Sequence, residues 1–146
     1  MITLTGGLST RLFNVSSGAM LRLEHIILDR GGSTGSDGGA IASAGALDLD
    51  SVTIQDSRTD LNHSGGAIFS TGPVTITNSL FDRNAGGSGG ALFANFANAR
   101  VTITNSIFRH NQARNTITGF GGAIWIGEQA QLTYTDGQLK LEFRQI

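Results

Sequence analysis

Apolar and polar residues alternate along this chain in short bursts that return at a nearly fixed interval. Four stretches align without gaps: Leu21 to Gly31 (LRLEHIILDRG), Leu47 to Ser57 (LDLDSVTIQDS), Val74 to Asn84 (VTITNSLFDRN) and Val101 to Asn111 (VTITNSIFRHN), with starts 26, 27 and 27 residues apart. A weaker fifth copy begins at Leu132 (LTYTDGQLKLE), 31 residues after the fourth. Within each copy the first four residues alternate, as in Val101-Thr102-Ile103-Thr104, which is the period of a strand with one buried face. Superposed, the copies give columns of like residues: Leu21, Leu47, Val74, Val101 and Leu132; Leu23, Leu49, Ile76, Ile103 and Tyr134; Leu28, Ile54, Phe81, Phe108 and Leu139. Such columns are inward stacks when each copy is one turn of a solenoid and each strand pairs in parallel with its equivalent in the next turn. The pattern predicts an all-β parallel β-helix of about five turns of about 27 residues, each with three short strands and three bends. It reads as one domain over 1–146, with turns starting near 21, 47, 74, 101 and 132 and a partial first turn over 2–20.

A second landmark keeps step with the first: Gly38-Gly39-Ala40-Ile41, Gly65-Gly66-Ala67-Ile68, Gly89-Gly90-Ala91-Leu92 and Gly121-Gly122-Ala123-Ile124. No helix pattern and no Gly-Lys-Ser/Thr follows these pairs, so they mark bends rather than phosphate loops. Asn78 with Asn105, and Asn84 with Asn111, occupy equivalent bends, where stacked side-chain amides form structural ladders.

Composition narrows the class. With 21 Gly, one Lys and three Glu in 146 residues, good helix formers are too scarce for a bundle. A hydrophobic fraction of 39% with net charge −1 argues for a folded chain. The longest apolar runs are four residues, so no transmembrane helix is expected, and residues 1–20 lack the pattern of a secretory signal. Neither a disulfide nor a thiolate site can form without Cys, and a pI near 6.2 gives no electrostatic reason for nucleic-acid binding.

The Gly-Gly-Ala-Ile/Leu landmark, paired with Phe-x-x-Asn as Phe81-Asp82-Arg83-Asn84 and Phe108-Arg109-His110-Asn111, resembles the repeat of the chlamydial polymorphic outer-membrane proteins and related bacterial surface proteins. The stretch from Arg11 to Ala19, followed by Leu21-Arg22-Leu23, resembles the opening turn of many such β-helices. The two earlier copies depart from the pattern, with Leu28 to Gly31 and Ile54 to Ser57 in place of Phe and Asn. The resemblance implies a right-handed helix and a secreted or surface-exposed, often adhesive module.

Candidate chemistry is thin. Asp48 and Asp50 are the best carboxylate pair for glycoside cleavage, on one strand face about 7 Å apart, but Arg22, Glu24, Thr75 and Thr77 at equivalent positions describe an open face. No lyase or galacturonase residue set is present, and His25, His63 and His110 fall at different repeat positions, so no catalytic residue or cofactor is expected. Asp37 and Asp60, in loops before Gly pairs, are the only candidates for a weak Ca²⁺ site. Thr75 and Thr77, Thr102 and Thr104, Thr133 and Thr135 form three Thr-x-Thr rungs, a pattern that ordinary strand faces share with ice-binding arrays.

Alternation does not settle whether the column Ala42, Phe69, Phe93 and Trp125 points in or out, and core packing is the expected placement. Facing outward, the aromatics would form a stripe suited to a partner or a sugar. The loop from Gln112 to Phe120 is the longest between the Asn column and a Gly pair, which makes Arg114, Phe120 and Trp125 the candidate contact residues. The expectation is a non-enzymatic structural or adhesive module with a host-surface or glycan ligand. A polysaccharide-binding or polysaccharide-cleaving β-helix is the alternative. Strand patterns at both ends, Ile2 to Thr5 and Leu139 to Phe143, suggest a segment of a longer protein, or copies that stack end to end.

Overall fold

In four successive turns, two bends are each made by a single residue with left-handed backbone. The first is His25, Ser51, Asn78 or Asn105, with φ of 52, 56, 50 and 47°, and the second is Arg30, Asp56, Arg83 or His110, with φ of 47, 52, 55 and 53°. One such residue redirects an extended chain sharply, and Asn, Asp and His tolerate that region better than most side chains. The turn thus closes with little loop.

The structure is a computed structural model that describes residues 1–135 and 144–145. Its strands form four parallel sheets, each five strands deep. The first stacks Met20–Glu24, Ala46–Asp50, Val74–Thr77, Arg100–Thr104 and Gln131–Thr135, and the second stacks Ile2–Thr5, Ile26–Asp29, Thr53–Gln55, Leu80–Asp82 and Ile107–Arg109. The third is only two residues wide: Gly32–Ser33, Arg58–Thr59, Ala85–Gly86, Gln112–Ala113 and Arg144–Gln145. The fourth stacks Phe13–Val15, Ile41–Ser43, Ile68–Ser70, Leu92–Ala94 and Ile124–Ile126. The parallel β-helix read from the repeat is therefore the fold, with one difference. Each full turn has four strands rather than three, because a two-residue strand is too short to carry a visible alternation. Among the described residues no helix is long and apolar enough to cross a membrane.

Register follows the repeat: Leu49 pairs with Ile76 and Ile76 with Ile103, while Leu28, Ile54, Phe81 and Phe108 stand in line in the second sheet. All seven of these side chains are fully buried. Phe81 and Phe108 stack with centroids 4.5 Å apart and ring planes within 3°. Each such side chain contributes roughly 1.5–3 kcal/mol through burial. Leu139, expected to continue their column, lies outside the described residues, as does the whole of the expected strand from Leu139 to Phe143.

Buried polar groups form ladders inside the bends. Asn84 Oδ1 accepts the backbone N–H of Ser57 at 3.0 Å, and Asn84 Nδ2 donates to the carbonyl of Ile54 at 2.9 Å. Asn111 repeats this one turn on, accepting from Asn84 N at 3.0 Å and donating to Phe81 O at 2.9 Å. Ser79 and Ser106 do the same work at the other bend, accepting from Val52 N and Ser79 N at 3.1 and 3.0 Å. Asn78 and Asn105 instead form an exposed rung, with Asn105 Nδ2 donating to Asn78 Oδ1 at 2.7 Å.

The two members of each Gly pair have separate reasons. The first turns the chain with positive φ, 81, 70, 57 and 64° at Gly38, Gly65, Gly89 and Gly121. Gly39, Gly66 and Gly90 lie against the next coil, where an added Cβ would collide with the carbonyl oxygens of Gly66, Gly90 and Gly122.

Asn84→Ala leaves the buried Ser57 N–H without its acceptor and takes one of the donors from the Ile54 carbonyl, so it is expected to lower the unfolding free energy by about 1–3 kcal/mol in chemical denaturation. Asn105→Gly, on the exposed rung and free to take positive φ, is expected to stay within about 0.5 kcal/mol of the parent.

Candidate functional site

In the fourth sheet Ile41, Ile68 and Leu92 are fully buried and Ile124 is half-buried, and the residues that follow these four, Ala42, Phe69, Phe93 and Trp125, face outward and are only half-buried. This corrects the expected core placement of the aromatic column. Ala40 and Ile41, like Ala67 and Ile68, are adjacent and both fully buried, so strand parity breaks at the bend. Counting alternation from the Gly pair therefore gives no orientation for the column.

The outward rings form a ladder. Phe69 and Phe93 stack at 5.5 Å and 11°, and Phe93 and Trp125 at 4.3 Å and 9°. Because these pairs lie on successive rungs, the ring faces point along the rod axis and cover one another. The ladder ends at Phe69, whose neighbour on the preceding rung is Ala42. One face of the Phe69 ring therefore walls a shallow hollow of about 330 Å³ over Ala42, rimmed by Asn14, Ser16 and Thr71. Arg11 fixes that rim, donating to Asn14 Oδ1 at 2.8 Å while anchored on the Gly38 carbonyl at 2.8 Å.

The Thr-x-Thr rungs lie in register on the first sheet: Thr75 with Thr102 and Thr133, Thr77 with Thr104 and Thr135. The Thr104 and Thr135 hydroxyls are 3.0 Å apart. The array stops at the charged rungs, where Arg22 Nε lies 2.7 Å from Glu24 Oε1 and 3.6 Å from Asp48 Oδ2.

The carboxylates are spent on structure. Asp50 accepts from Asn78 Nδ2 at 3.2 Å and Ser51 Oγ at 3.0 Å, which holds it below the usual carboxylate range. Asp60 accepts the backbone N–H of Gly35 at 2.7 Å and of Asn62 at 2.9 Å, and His63 Nδ1 lies 2.7 Å away. The Gly35 bond first, and His63 next, lower the Asp60 pKa to about 2. Asp37 Oδ1 accepts the N–H of Ser64 at 2.6 Å. Asp82 is buried, which alone would raise its pKa, but His110 and Arg109 hydrogen bonds and the Arg83 charge bring it below the ordinary value. Among the described residues, no three His, Cys, Asp or Glu side chains cluster to hold a metal ion. Asp37 and Asp60, the two acids read as a weak Ca²⁺ site, each cap backbone of an adjacent turn.

The Gln112 to Phe120 loop is pinned rather than loose. Asn115 Oδ1 accepts from Ile117 N and Thr118 N at 3.0 Å, and Asn115 Nδ2 donates to the Leu61 carbonyl at 3.1 Å. Phe120 is 60% exposed, whereas the Arg114 guanidinium turns back across the coil and donates through Nη2 to the Thr59 carbonyl at 2.5 Å. The three candidate contact residues therefore fall in different settings: Arg114 beside the third sheet, Phe120 on the loop and Trp125 in the ladder. Arg58 and Arg83, which line a concave groove with Arg114, escaped the sequence reading, although Arg83 stands one residue before the Asn column.

Comparison with known proteins finds no matching family model, no matching curated protein and no matching solved structure.

The depressed Asp60 carboxyl contributes stability that is present above its ordinary unfolded value and is lost as pH falls through about 2. Unfolding free energy should therefore fall between about pH 4 and 2, with Asp60→Asn removing part of that slope; an Asp60 carboxyl titrating near 4 by NMR would contradict the assignment.

Proposed function

We propose that the chain is a non-enzymatic, extracellular adhesive and structural module of a bacterial surface protein, a right-handed β-helix of the polymorphic outer-membrane repeat type whose ligand is a glycan. The observation that carries this reading is the outward ladder of Phe69, Phe93 and Trp125, interrupted at Ala42. A pyranose ring offers what the hollow lacks. Its C–H face stacks on the uncovered side of Phe69, and its peripheral hydroxyls meet the Asn14 amide and the Ser16 and Thr71 hydroxyls. The capped and ion-paired carboxylates speak for binding over cleavage, since a glycosidase acid needs a raised pKa and the resolved carboxyl shifts at Asp29, Asp50, Asp60 and Asp82 are all downward.

A second reading, end-to-end self-assembly, is favoured by partly exposed inward-column residues on the first and fifth strands of their sheets: Leu4 at 38% and Leu132 at 42% exposure. Light scattering over a concentration series separates the two, since rods that lengthen with concentration would make assembly the function.

Ala42→Phe extends the ladder into the hollow. It is expected to keep or raise thermal stability while abolishing saturation transfer from the protein to bound oligosaccharides, and Phe69→Ala is expected to remove the same signal. Oligosaccharide binding that survives both changes would refute the hollow as the sugar site.

A further inference from the structure

The narrow third sheet carries an outward column that reads Gly32, Arg58, Ala85, Gln112. Small Ala85 between two long side chains leaves a gap. The left-handed bend residues Arg30, Asp56 and Arg83 stand along one side, and Arg114 leans back over the other side from a later turn. The result is a groove of about 370 Å³ that runs from Leu8 to Gln112 across five successive rungs, about 19 Å at the spacing of paired strands.

Its charges are unequally satisfied. Arg83 grips Asp56 through Nε to Oδ1 at 2.8 Å and Nη2 to Oδ2 at 2.9 Å, and Arg30 Nε donates to Asp29 Oδ2 at 3.0 Å. Among the described residues, Arg58 and Arg114 have no carboxylate within ion-pair distance. Arg114 Nε is buried and has no hydrogen-bond partner. Burial lowers the Arg114 pKa, the like charge of Arg58 adds to this, and Asp60 opposes it. Two neighbouring guanidinium groups without a carboxylate partner repel one another, and one oxyanion in the groove supplies the countercharge to both.

We propose that this groove binds the oxyanion groups of an acidic polysaccharide, with Arg58 and Arg114 gripping one carboxylate or sulfate over Ala85. Arginine suits either group because its fork presents paired N–H donors. The five-rung length selects an extended polymer over a single acidic side chain, and Leu8 offers the sugar an apolar wall. The site lies on a different sheet from the aromatic ladder and stands or falls apart from it.

Titration calorimetry on the full chain tests the proposal with four hexamers: a uronate, a sulfated sugar, a neutral glucan and hexaglutamate. The uronate or the sulfated sugar should bind with an affinity that falls as salt rises. Arg58→Gln should weaken it about tenfold, and Arg114→Lys, which keeps the charge but loses the fork, should weaken it as well. Arg58 is exposed, so Arg58→Gln should leave thermal unfolding unchanged and keep the test valid even where Arg114→Lys perturbs the fold. Phe69→Ala should leave this affinity unchanged. With the ladder site removed by Phe69→Ala, equal binding of the neutral glucan, or unaltered uronate and sulfated-sugar affinity in Arg58→Gln, would overturn the site. Hexaglutamate binding as tightly would overturn its assignment to a polysaccharide.

Discussion

The constraint on which everything else depends is that each rung satisfies its backbone with the rung above and the rung below. Sheet hydrogen bonds here run in parallel and in register, so a residue meets its own repeat equivalent rather than a varied set of neighbours. Each column must therefore tolerate like beside like at strand spacing. Apolar columns meet this by stacking, as Phe81 does on Phe108. Buried polar columns meet it only where one side chain can both donate and accept, which is why Asn84 and Asn111 chain along the axis and each return a bond to a backbone carbonyl.

The same rule governs charge. Along the second bend the column reads Arg30, Asp56, Arg83, His110, so that Asp56 lies beside an Arg on the next rung. On the first sheet, Arg22 lies beside Asp48. Alternating sign turns a repulsive stack into a cohesive one, although the exposed pairs each contribute at most about 1 kcal/mol. Asp82 is the exception in burial, since Arg83, Arg109 and His110 gather around a carboxylate that is almost fully enclosed.

Both proposed binding sites lie where a column is interrupted. Ala42 breaks the aromatic ladder below Phe69, and Ala85 breaks the outward column between Arg58 and Gln112. In both places a small residue on a rigid face removes one rung's worth of side chain and exposes what the next rung carries, a ring face in one case and unpaired guanidinium groups in the other. The scaffold is regular, and both proposed sites sit in departures from regularity.

The sequence by itself determined the repeat, the parallel stacking and most inward columns, because every copy spells the same alternation and in-register pairing follows from equal spacing. It also placed the Gly pairs at bends. Tertiary structure alone decided three things. A two-residue strand leaves no period, so the third sheet and its groove came only from the closed turn. Adjacent buried residues at Ala40 and Ile41 break parity, so the outward course of Phe69, Phe93 and Trp125 could not be counted from the chain. Arg114 meets the Thr59 carbonyl across 55 residues, a contact set by the axial distance between coils rather than by any pattern local to either residue.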